Sequence, residues 1–456
     1  MSIPQTGGDP LEREDQLTAF FAEGCKPREK WRIGTEHEKF GFQQDSRKPL
    51  PYEGPCSIRA MLVGLSDVFD WKPIEESGNL IGLQKGGANI SLEPGGQLEL
   101  SGAPLETVHE TCDEVNQHLH EVRTIADRIG AGFIGIGAAP TWTHDEMPVM
   151  PKARYRLMSD YMTRVGKHGR DMMFRTCSVQ VNLDYSSESD MVKKLRVAFA
   201  LQPVATAFFA NSPFYEGRPA SELSIRSSFW RDLDADRTGI LPFVFEEGFG
   251  FEAWKDYALD VPMYFVHRDG VFIDARGQSF RNFMEGRLPA LPGEIPLVSD
   301  WADHLTTIFP EARIKRFIEM RGADGGPWRS LCALPAFWVG LMYSQSSLDA
   351  AWDLVRHWDA ATCEGLRVSA AREGLKGGYN RVRMIDCADK ALEFAEAGLR
   401  ERARSSASGS IPDECHFLDA LKEILETGIT PAEELLDLYR NDWKGSLNPV
   451  FEECSY

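Results

Sequence analysis

Long apolar runs are missing from this sequence, and so is a start of the kind that directs secretion. The longest apolar stretches, residues 197 to 210 and residues 331 to 343, are too short to cross a bilayer. Residues 1 to 16 contain neither a basic start nor an apolar segment. We therefore expect no membrane partner.

Cysteine is present but shows no pairing pattern. The nine cysteines are an odd number, scattered between Cys25 and Cys454 without a CxxC pair. Secreted disulfide frameworks and structural zinc sites both need closer, paired spacing. A reducing compartment is the simplest match, and we predict a cytoplasmic location.

Positive charge is in deficit. The chain has 50 Lys and Arg against 69 Asp and Glu, which gives a net charge of −19 at pH 7. Proteins bind nucleic acid largely by neutralising its phosphates with basic side chains, so this balance argues against a nucleic-acid partner. With 43% hydrophobic residues the chain can still bury a large core.

Several familiar catalytic motifs are also absent. The sequence contains no GxxxxGK[ST] phosphate loop and no GxSxG nucleophile elbow. Gly135 and Gly137 lead to Pro140 instead of a third glycine, and His37-Glu38 lacks the second histidine of HExxH. The chain is therefore unlike P-loop enzymes, dinucleotide-binding proteins, α/β-hydrolases and zinc peptidases of these types.

Periodicity predicts a mixture of strands and helices. Alternating apolar residues indicate strands near residues 31 to 42, 90 to 100, 177 to 184 and 313 to 321. Helical spacing indicates helices near residues 10 to 25, 104 to 129, 191 to 210 and 331 to 343, and over most of residues 347 to 440. Pro94-Gly95-Gly96 is turn chemistry and predicts a hairpin.

Four of the predicted strands carry polar side chains two positions apart, where they point to the same side of a strand. These pairs are Glu36 and Glu38, Gln97 and Glu99, Gln180 and Asn182, and Glu319 and Arg321. One such pair is usually the wet face of a one-sided sheet. Four pairs favour a functional face, which Glu93 can join across the hairpin turn.

Neighbouring carboxylates repel one another unless a cation neutralises them. Carboxylate oxygens with one amide suit Mg²⁺ or Mn²⁺ better than zinc or copper, and such sites often hold ATP phosphates as well. Arg226, Arg237 and Arg321 could bind a substrate carboxylate or a phosphate, although each alone could equally be a surface residue. No histidine set shows metal-ligand spacing.

Five segments resemble the plant and proteobacterial class of glutamate-cysteine ligases. They are GTEHEKFGF at 34 to 42, SLEPGGQLELSGAPLETVHETCDEVN at 91 to 116, RTCSVQVNLD at 175 to 184, DRTGILPFVF at 236 to 245 and IEMRGADGGPWRSLCALPAFWVGL at 318 to 341. The resemblance runs from about residue 30 to the carboxyl terminus. It implies an α+β fold of the glutamine-synthetase-like type, with a curved antiparallel sheet forming a funnel-like active site among helices. We expect one catalytic domain over residues 1 to 456, with a mainly helical part at 345 to 456.

The resemblance also implies roles for residues. The expected magnesium ligands are Glu36, Glu38, Glu93, Glu99, Gln180 and Glu319. Arg226 and Arg321 are the expected catalytic arginines, and Arg226, Asn182 and Arg237 are expected to bind substrate. The implied reaction joins the γ-carboxyl of glutamate to the amine of cysteine through γ-glutamyl phosphate, with ATP as co-substrate, in a monomer or weak homodimer. Another amine acceptor, as in ergothioneine production, and a noncatalytic relative are the alternatives.

The same resemblance allows a comparison with the disulfide positions of plant members. Where plant members have one regulatory disulfide, this chain has Ala275 and Ala290, so that bridge cannot form. Cys112 and Cys332 occupy positions of a second pair in some plant relatives. Because free cysteines are usually buried and reduced in the cytoplasm, we expect these two to be buried thiols and activity to respond little to reductant.

Overall fold

The computed structural model describes residues 7 to 456, and its centre is an antiparallel sheet of nine strands. The strands of the described residues are β1 Ile33–Gln43, β2 Lys72–Glu76, β3 Asn79–Lys85, β4 Ala88–Leu92, β5 Leu98–Ser101, β6 Ala131–Ile134, β7 Ser178–Leu183, β8 Phe214–Tyr215, β9 Arg218–Pro219, β10 Thr238–Gly239, β11 Phe265–Arg268, β12 Val271–Asp274, β13 Phe309–Pro310, β14 Ala312–Ile314, β15 Ile318–Asp324, β16 Gly378–Tyr379 and β17 Val382–Arg383.

Helices surround this sheet. They are α1 Glu14–Ala22, α2 Ile58–Phe69, α3 Val108–Ile129, α4 Ala153–Val165, α5 Gly169–Arg175, α6 Glu188–Phe208, α7 Ile225–Phe229, α8 Phe251–Asp260, α9 Phe280–Met284, α10 Val298–Leu305, α11 Trp328–Tyr343, α12 Gln345–Val355, α13 Ala360–Glu373, α14 Met384–Arg402, α15 Asp419–Thr427, α16 Pro431–Arg440 and α17 Val450–Glu453. Within residues 7 to 456, no helix combines the length and the apolar character that a membrane span needs.

The strand order is β14-β15-β7-β1-β5-β4-β3-β2, with β6 pairing the second half of β1. The long strand β1 is central because its first half pairs with β7 on one side and β5 on the other. The four strands with predicted polar faces, β15, β7, β1 and β5, are therefore consecutive neighbours. Their polar residues can share one face only because the pairing brings these strands side by side.

The two faces of the sheet differ in character. Val179, Val181 and Leu183 of β7 are fully buried in a core that includes residues of α6 and α11. The residues between them, Gln180 and Asn182, point to the opposite side, as the two-residue period of a strand requires. Burial of one face against helices thus leaves the other face free to carry polar groups.

Helix α3 shows how the local sequence sets an element. It begins after Thr107, whose hydroxyl accepts a hydrogen bond from the backbone N–H of Glu110, while the Glu110 side chain accepts one from the backbone N–H of Thr107. It ends at Gly130, which adopts a positive φ of 74° that favours glycine. The apolar side packs against α2 and α11, as the helical spacing predicted.

Residues 313 to 321 differ from the single strand that their alternation predicted. The structure divides them between β14 and β15, and the backbone N–H of Lys315 donates to the carbonyl of Phe317 in the intervening turn. The alternation of apolar and polar residues continues from one strand to the next across this tight hairpin. The alternation alone therefore could not reveal the turn. After residue 345 the regular elements are helices joined by loops, together with the short strand pair β16 and β17.

Cys112 and Cys332 form a disulfide between α3 and α11, with their Cα atoms 5.5 Å apart. This corrects the prediction that both would be buried thiols. Burial was predicted correctly, since each residue is 3% exposed. The pairing itself depends on α3 packing against α11, a contact between segments 220 residues apart that no local pattern reports.

Reduction of this disulfide should lower stability. Because the bridge closes a long loop, we expect dithiothreitol to reduce the free energy of unfolding by about 2–4 kcal/mol. Denaturant unfolding with and without reductant measures this change. Cys112→Ser should unfold like the reduced protein and should not respond further to dithiothreitol, whereas equal stability of all samples would mean that the two thiols are unpaired.

Candidate active site

A cavity of about 100 Å³ lies over the polar face of the sheet. Its lining includes both acidic and basic groups. The acidic residues are Glu36, Glu38, Glu93 and Glu99, and the basic residues are Arg154, Arg226, Arg313 and Arg321. Such a mixture of charges suits a ligand that carries both a cation and anionic groups.

Strand register brings the carboxylates together. Glu38 of β1 lies opposite Glu99 of β5, and Glu99 lies opposite Ser91 of β4. Glu93 follows β4 immediately, at the turn predicted from Pro94-Gly95-Gly96. On the other side of β1, Glu36 lies opposite Gln180. The predicted acidic cluster is thus a set of cross-strand neighbours.

Hydrogen bonds hold several of these carboxylates in place. Glu38 accepts a 2.6 Å bond from the backbone N–H of Ser178, and Glu99 accepts a 2.6 Å bond from the hydroxyl of Ser91. Glu36 accepts a 2.9 Å bond from the side-chain amide of Asn182. Asn182 therefore contacts a predicted metal ligand, and it does not line the cavity itself.

The crowding of acids has an electrostatic cost. Desolvation and the nearby Glu99 raise the pKa of the Glu38 carboxyl to about 7. Desolvation, Glu99 and Glu38 raise the pKa of Glu93 to about 8. A bound cation would reverse these shifts by favouring the ionised forms.

The donor set fits a magnesium ion that is also bound by phosphate. The predicted metal ligands that line the cavity all offer oxygen atoms, which Mg²⁺ prefers. Across residues 7 to 456, however, no three acidic, histidine or cysteine side chains are arranged to hold a metal ion alone. Mg²⁺ is commonly held by one or two carboxylates, with water and substrate phosphates completing its shell. The carboxylates at Glu38, Glu93 and Glu99 meet that lesser requirement.

Glu319 has a different environment from the other predicted ligands. It is fully buried and does not line the cavity. Its carboxylate pairs with Arg313 at 2.5 Å, Lys315 at 2.6 Å and Arg321 at 3.3 Å. Burial alone would favour the neutral acid, but the three cations outweigh it and hold the pKa of Glu319 well below its usual range. This geometry favours a charge-pairing role over the predicted ligand role.

The two predicted catalytic arginines both line the cavity. Arg226, on the short helix α7, is 3% exposed and donates to the backbone carbonyl of Arg321 at 2.9 Å. Arg321 donates to the side-chain oxygen of Gln180 at 2.8 Å. That oxygen has a second lone pair, so Gln180 could bind a metal while it accepts the hydrogen bond from Arg321.

Asp324 fixes the position of Arg226. Its carboxylate accepts hydrogen bonds from the hydroxyls of Ser212 and Ser224, at 2.6 and 2.8 Å, and lies 3.9 Å from the Arg226 guanidinium. Ser224 also caps the start of α7 by accepting from the backbone N–H of Ser227. The helix, and with it the arginine, is therefore tied to the end of β15.

Arg237 is placed away from the cavity, contrary to its predicted role in substrate binding. It is completely buried, pairs with Asp234 at 2.5 Å, and donates to the carbonyls of Thr307 and Pro262. Its guanidinium also stacks on the ring of Tyr264 at 4.0 Å. These contacts give Arg237 a structural role, because they occupy all three guanidinium nitrogens.

Sequence reasoning missed the residues that α4 and its approach bring to the cavity. Arg154 and Tyr155 line it, and Tyr155 donates to Glu93 at 3.4 Å. Lys152 lies nearby, where burial lowers the pKa of its ammonium to about 8. The basic and aromatic residues that follow Pro151 could have indicated a binding segment. The sequence alone, however, does not show that this segment lies next to Glu93.

The family of the chain follows from comparison with known proteins. A model described as glutamate-cysteine ligase family 2 matches residues 32–453. The chain belongs to this family. A chloroplastic glutamate-cysteine ligase B from Oryza sativa subsp. japonica is 53% identical over 448 residues, covering 98% of this chain and 88% of the relative. A chloroplastic glutamate-cysteine ligase from Arabidopsis thaliana is also 53% identical, with 98% and 84% covered. Family and enzyme class are thus as predicted.

Solved structures with low sequence identity share the fold of this family member. A glutamate-cysteine ligase from Francisella tularensis, solved in complex with AMP, is 12% identical with a TM-score of 0.52, covering 90% of this chain and 85% of that one. A bifunctional glutathione synthetase from Pasteurella multocida is 13% identical with a TM-score of 0.52, covering 97% of this chain and 53% of that one. The predicted α+β class with an antiparallel sheet is confirmed.

The location predicted for this family member needs correction. The absence of cysteine pairing motifs led to a cytoplasmic prediction, but the plant relatives are named as chloroplastic enzymes. A lack of CxxC pairs reports only on disulfide frameworks and zinc sites, and it does not distinguish among compartments. The cytoplasmic prediction is therefore wrong by this comparison.

Proposed function

We propose that this protein uses ATP to join the γ-carboxyl of L-glutamate to the amine of L-cysteine, giving γ-glutamylcysteine, ADP and phosphate, the first step of glutathione biosynthesis. The observation that carries this proposal is the cavity in which acidic side chains of β1, β5 and the β4 turn face Arg226 and Arg321. The named relatives support the same reaction. We also propose one catalytic domain acting as a monomer or weak homodimer.

The carboxylates would hold a divalent cation, which we propose is Mg²⁺. Glu36, Glu38, Glu93 and Glu99 are the side chains that could bind it, with the side-chain oxygen of Gln180 as a further donor. A bound Mg²⁺ would neutralise the phosphates of ATP and draw charge from the transferring phosphoryl group. Phosphoryl transfer needs positioning and charge neutralisation more than covalent help.

The arginines would bind the anionic parts of the substrates. A guanidinium can form two parallel hydrogen bonds with a carboxylate or phosphate, and both Arg226 and Arg321 reach the cavity. The glutamate γ-carboxylate would attack the terminal phosphorus of ATP and release ADP. The cysteine amine would then attack the acyl carbon of γ-glutamyl phosphate and release phosphate.

An assay of phosphate release tests the proposal. Purified protein is incubated with ATP, Mg²⁺, glutamate and a panel of amines, and the products are identified by mass. We expect fastest release with cysteine, and none without glutamate or after chelation of the metal. Faster release with another amine would reassign the acceptor, and no release with any amine would favour a noncatalytic relative.

Arg226→Lys should weaken the use of glutamate more than the use of ATP. An ammonium cannot reproduce the bidentate contact of a guanidinium with a carboxylate, and the loss should be on the order of 1–3 kcal/mol. Steady-state KM values for glutamate and ATP measure the difference, with Arg218→Lys at an exposed position as the control. An unchanged KM for glutamate would assign Arg226 to another task.

A further inference from the structure

A small side pocket adjoins the main cavity and shares two of its arginines. It shares Arg226, Trp230, Phe309 and Arg321 with that cavity and adds Glu311 as its acidic residue. Its volume of about 10 Å³ is room for roughly one water-sized group. An ammonium group attached to a larger ligand has this size.

Glu311 places one carboxylate beside the two arginines of this pocket, and its own ion pair does not fully neutralise it. Glu311 accepts a 2.8 Å hydrogen bond from Arg367, which is almost fully buried. Arg367 also donates two bonds, of 2.8 and 2.9 Å, to Glu364. One guanidinium therefore faces two carboxylates, and this group of three side chains keeps a net charge of −1.

Gln202 adds an unused polar group at the same place. It is 1% exposed, and neither atom of its amide has a hydrogen-bond partner within residues 7 to 456. Gly322 lines the side pocket, and a Cβ at that position would collide with the Gln202 amide and the Glu311 carboxylate. Gly322 thus leaves room beside the pocket for the Glu311 carboxylate and, behind the lining residues, for the Gln202 amide. A buried amide without a partner is costly unless a ligand completes it.

The chemistry of the reaction identifies which substrate brings an ammonium. The amine of cysteine is the nucleophile and must be neutral when it attacks. Glutamate reacts through its γ-carboxyl and keeps its α-ammonium and α-carboxylate throughout. A pocket lined by one carboxylate and two arginines therefore matches the α-amino-acid end of glutamate, which carries one ammonium and one carboxylate.

We propose that Glu311, assisted by Gln202, binds the α-ammonium of glutamate and makes the protein selective for an α-amino dicarboxylate. This inference rests on the proposed function, because it assumes that glutamate is the donor. It assigns the side pocket to recognition and leaves the reacting groups over the carboxylates of the main cavity.

Glu311→Gln tests the assignment by removing the charge with little change of shape. We expect the KM for glutamate to rise roughly 10- to 100-fold, as for loss of a charged hydrogen bond. The KM values for ATP and cysteine should change less than about threefold. Glutarate, which has both carboxylates but no amine, provides a second measure: the preference for glutamate over glutarate in kcat/KM should fall by a similar factor.

Two further variants separate recognition from structure. Glu364→Gln removes the other carboxylate of Arg367, outside the side pocket, and should leave the KM for glutamate unchanged. Gln202→Met removes the unpartnered amide without breaking an ion pair, and should raise the KM for glutamate even if Glu311→Gln folds poorly. Thermal melting of each variant accompanies the kinetics.

The inference is overturned if Glu311→Gln, or Gln202→Met where the first variant does not fold, retains the wild-type preference for glutamate over glutarate. A selective rise in the KM for cysteine would also overturn it, and so would an equal effect of Glu364→Gln. These outcomes require an active wild-type protein. A wild type that releases no phosphate with glutamate and any amine would instead overturn the proposed function.

Discussion

Glu36→Ala is expected to reduce turnover by roughly a thousandfold or more, because it removes one of the carboxylates that line the cavity. Loss of several kcal/mol of charge stabilisation in the transition state corresponds to a change of this size. The fold should survive, because the carboxylate lines the cavity and the side-chain amide of Asn182, which donates to it, can bind water there instead. Stability should change by no more than about 1 kcal/mol.

Turnover measured across a magnesium titration, alongside thermal melting, tests this expectation. The matched control is Glu53→Ala, which removes an exposed glutamate outside the cavity and should behave like the wild type. If Glu36→Ala retained near-native turnover at all magnesium concentrations, the proposed site for the cation would be in the wrong place.

Glu319→Ala is expected to act mainly on stability. The fully buried carboxylate is the shared partner of Arg313, Lys315 and Arg321, and removing it leaves three cations without their counter-charge. Breaking a buried ion pair by removing one partner typically costs about 3–5 kcal/mol. Arg313 cannot easily turn away, since it also donates to the carbonyls of Thr306 and Ile308.

The pH dependence of this effect has a defined sign. The folded-state pKa of Glu319 lies well below its ordinary value, so its ionised form stabilises the fold above the ordinary carboxyl pKa. The difference in unfolding free energy between wild type and Glu319→Ala should therefore be full at neutral pH and shrink as the pH falls below about 4.5. Denaturant titrations at several pH values measure it. A variant that unfolds like the wild type but loses magnesium-dependent turnover would restore the ligand role predicted from the sequence.

Much of the local structure could be predicted from the sequence. Alternation placed the strands around Glu36 and Gln180, and helical spacing placed α3, α6 and α11. It also identified which residues of each strand would share a face, because a two-residue period is a property of the strand itself. The motifs that resemble glutamate-cysteine ligases then indicated the family.

The sequence by itself determined the side of its own strand on which each polar residue lies, and only the tertiary structure decided which strands became neighbours. Pairing of β1 with β5 set Glu38 beside Glu99, whereas the hairpin of β14 and β15 surrounded Glu319 with cations. The same packing joined Cys112 to Cys332 and drew Arg237 into internal contacts. Local periodicity cannot predict these contacts, because their energies depend on strand register and on packing between segments that are distant along the chain.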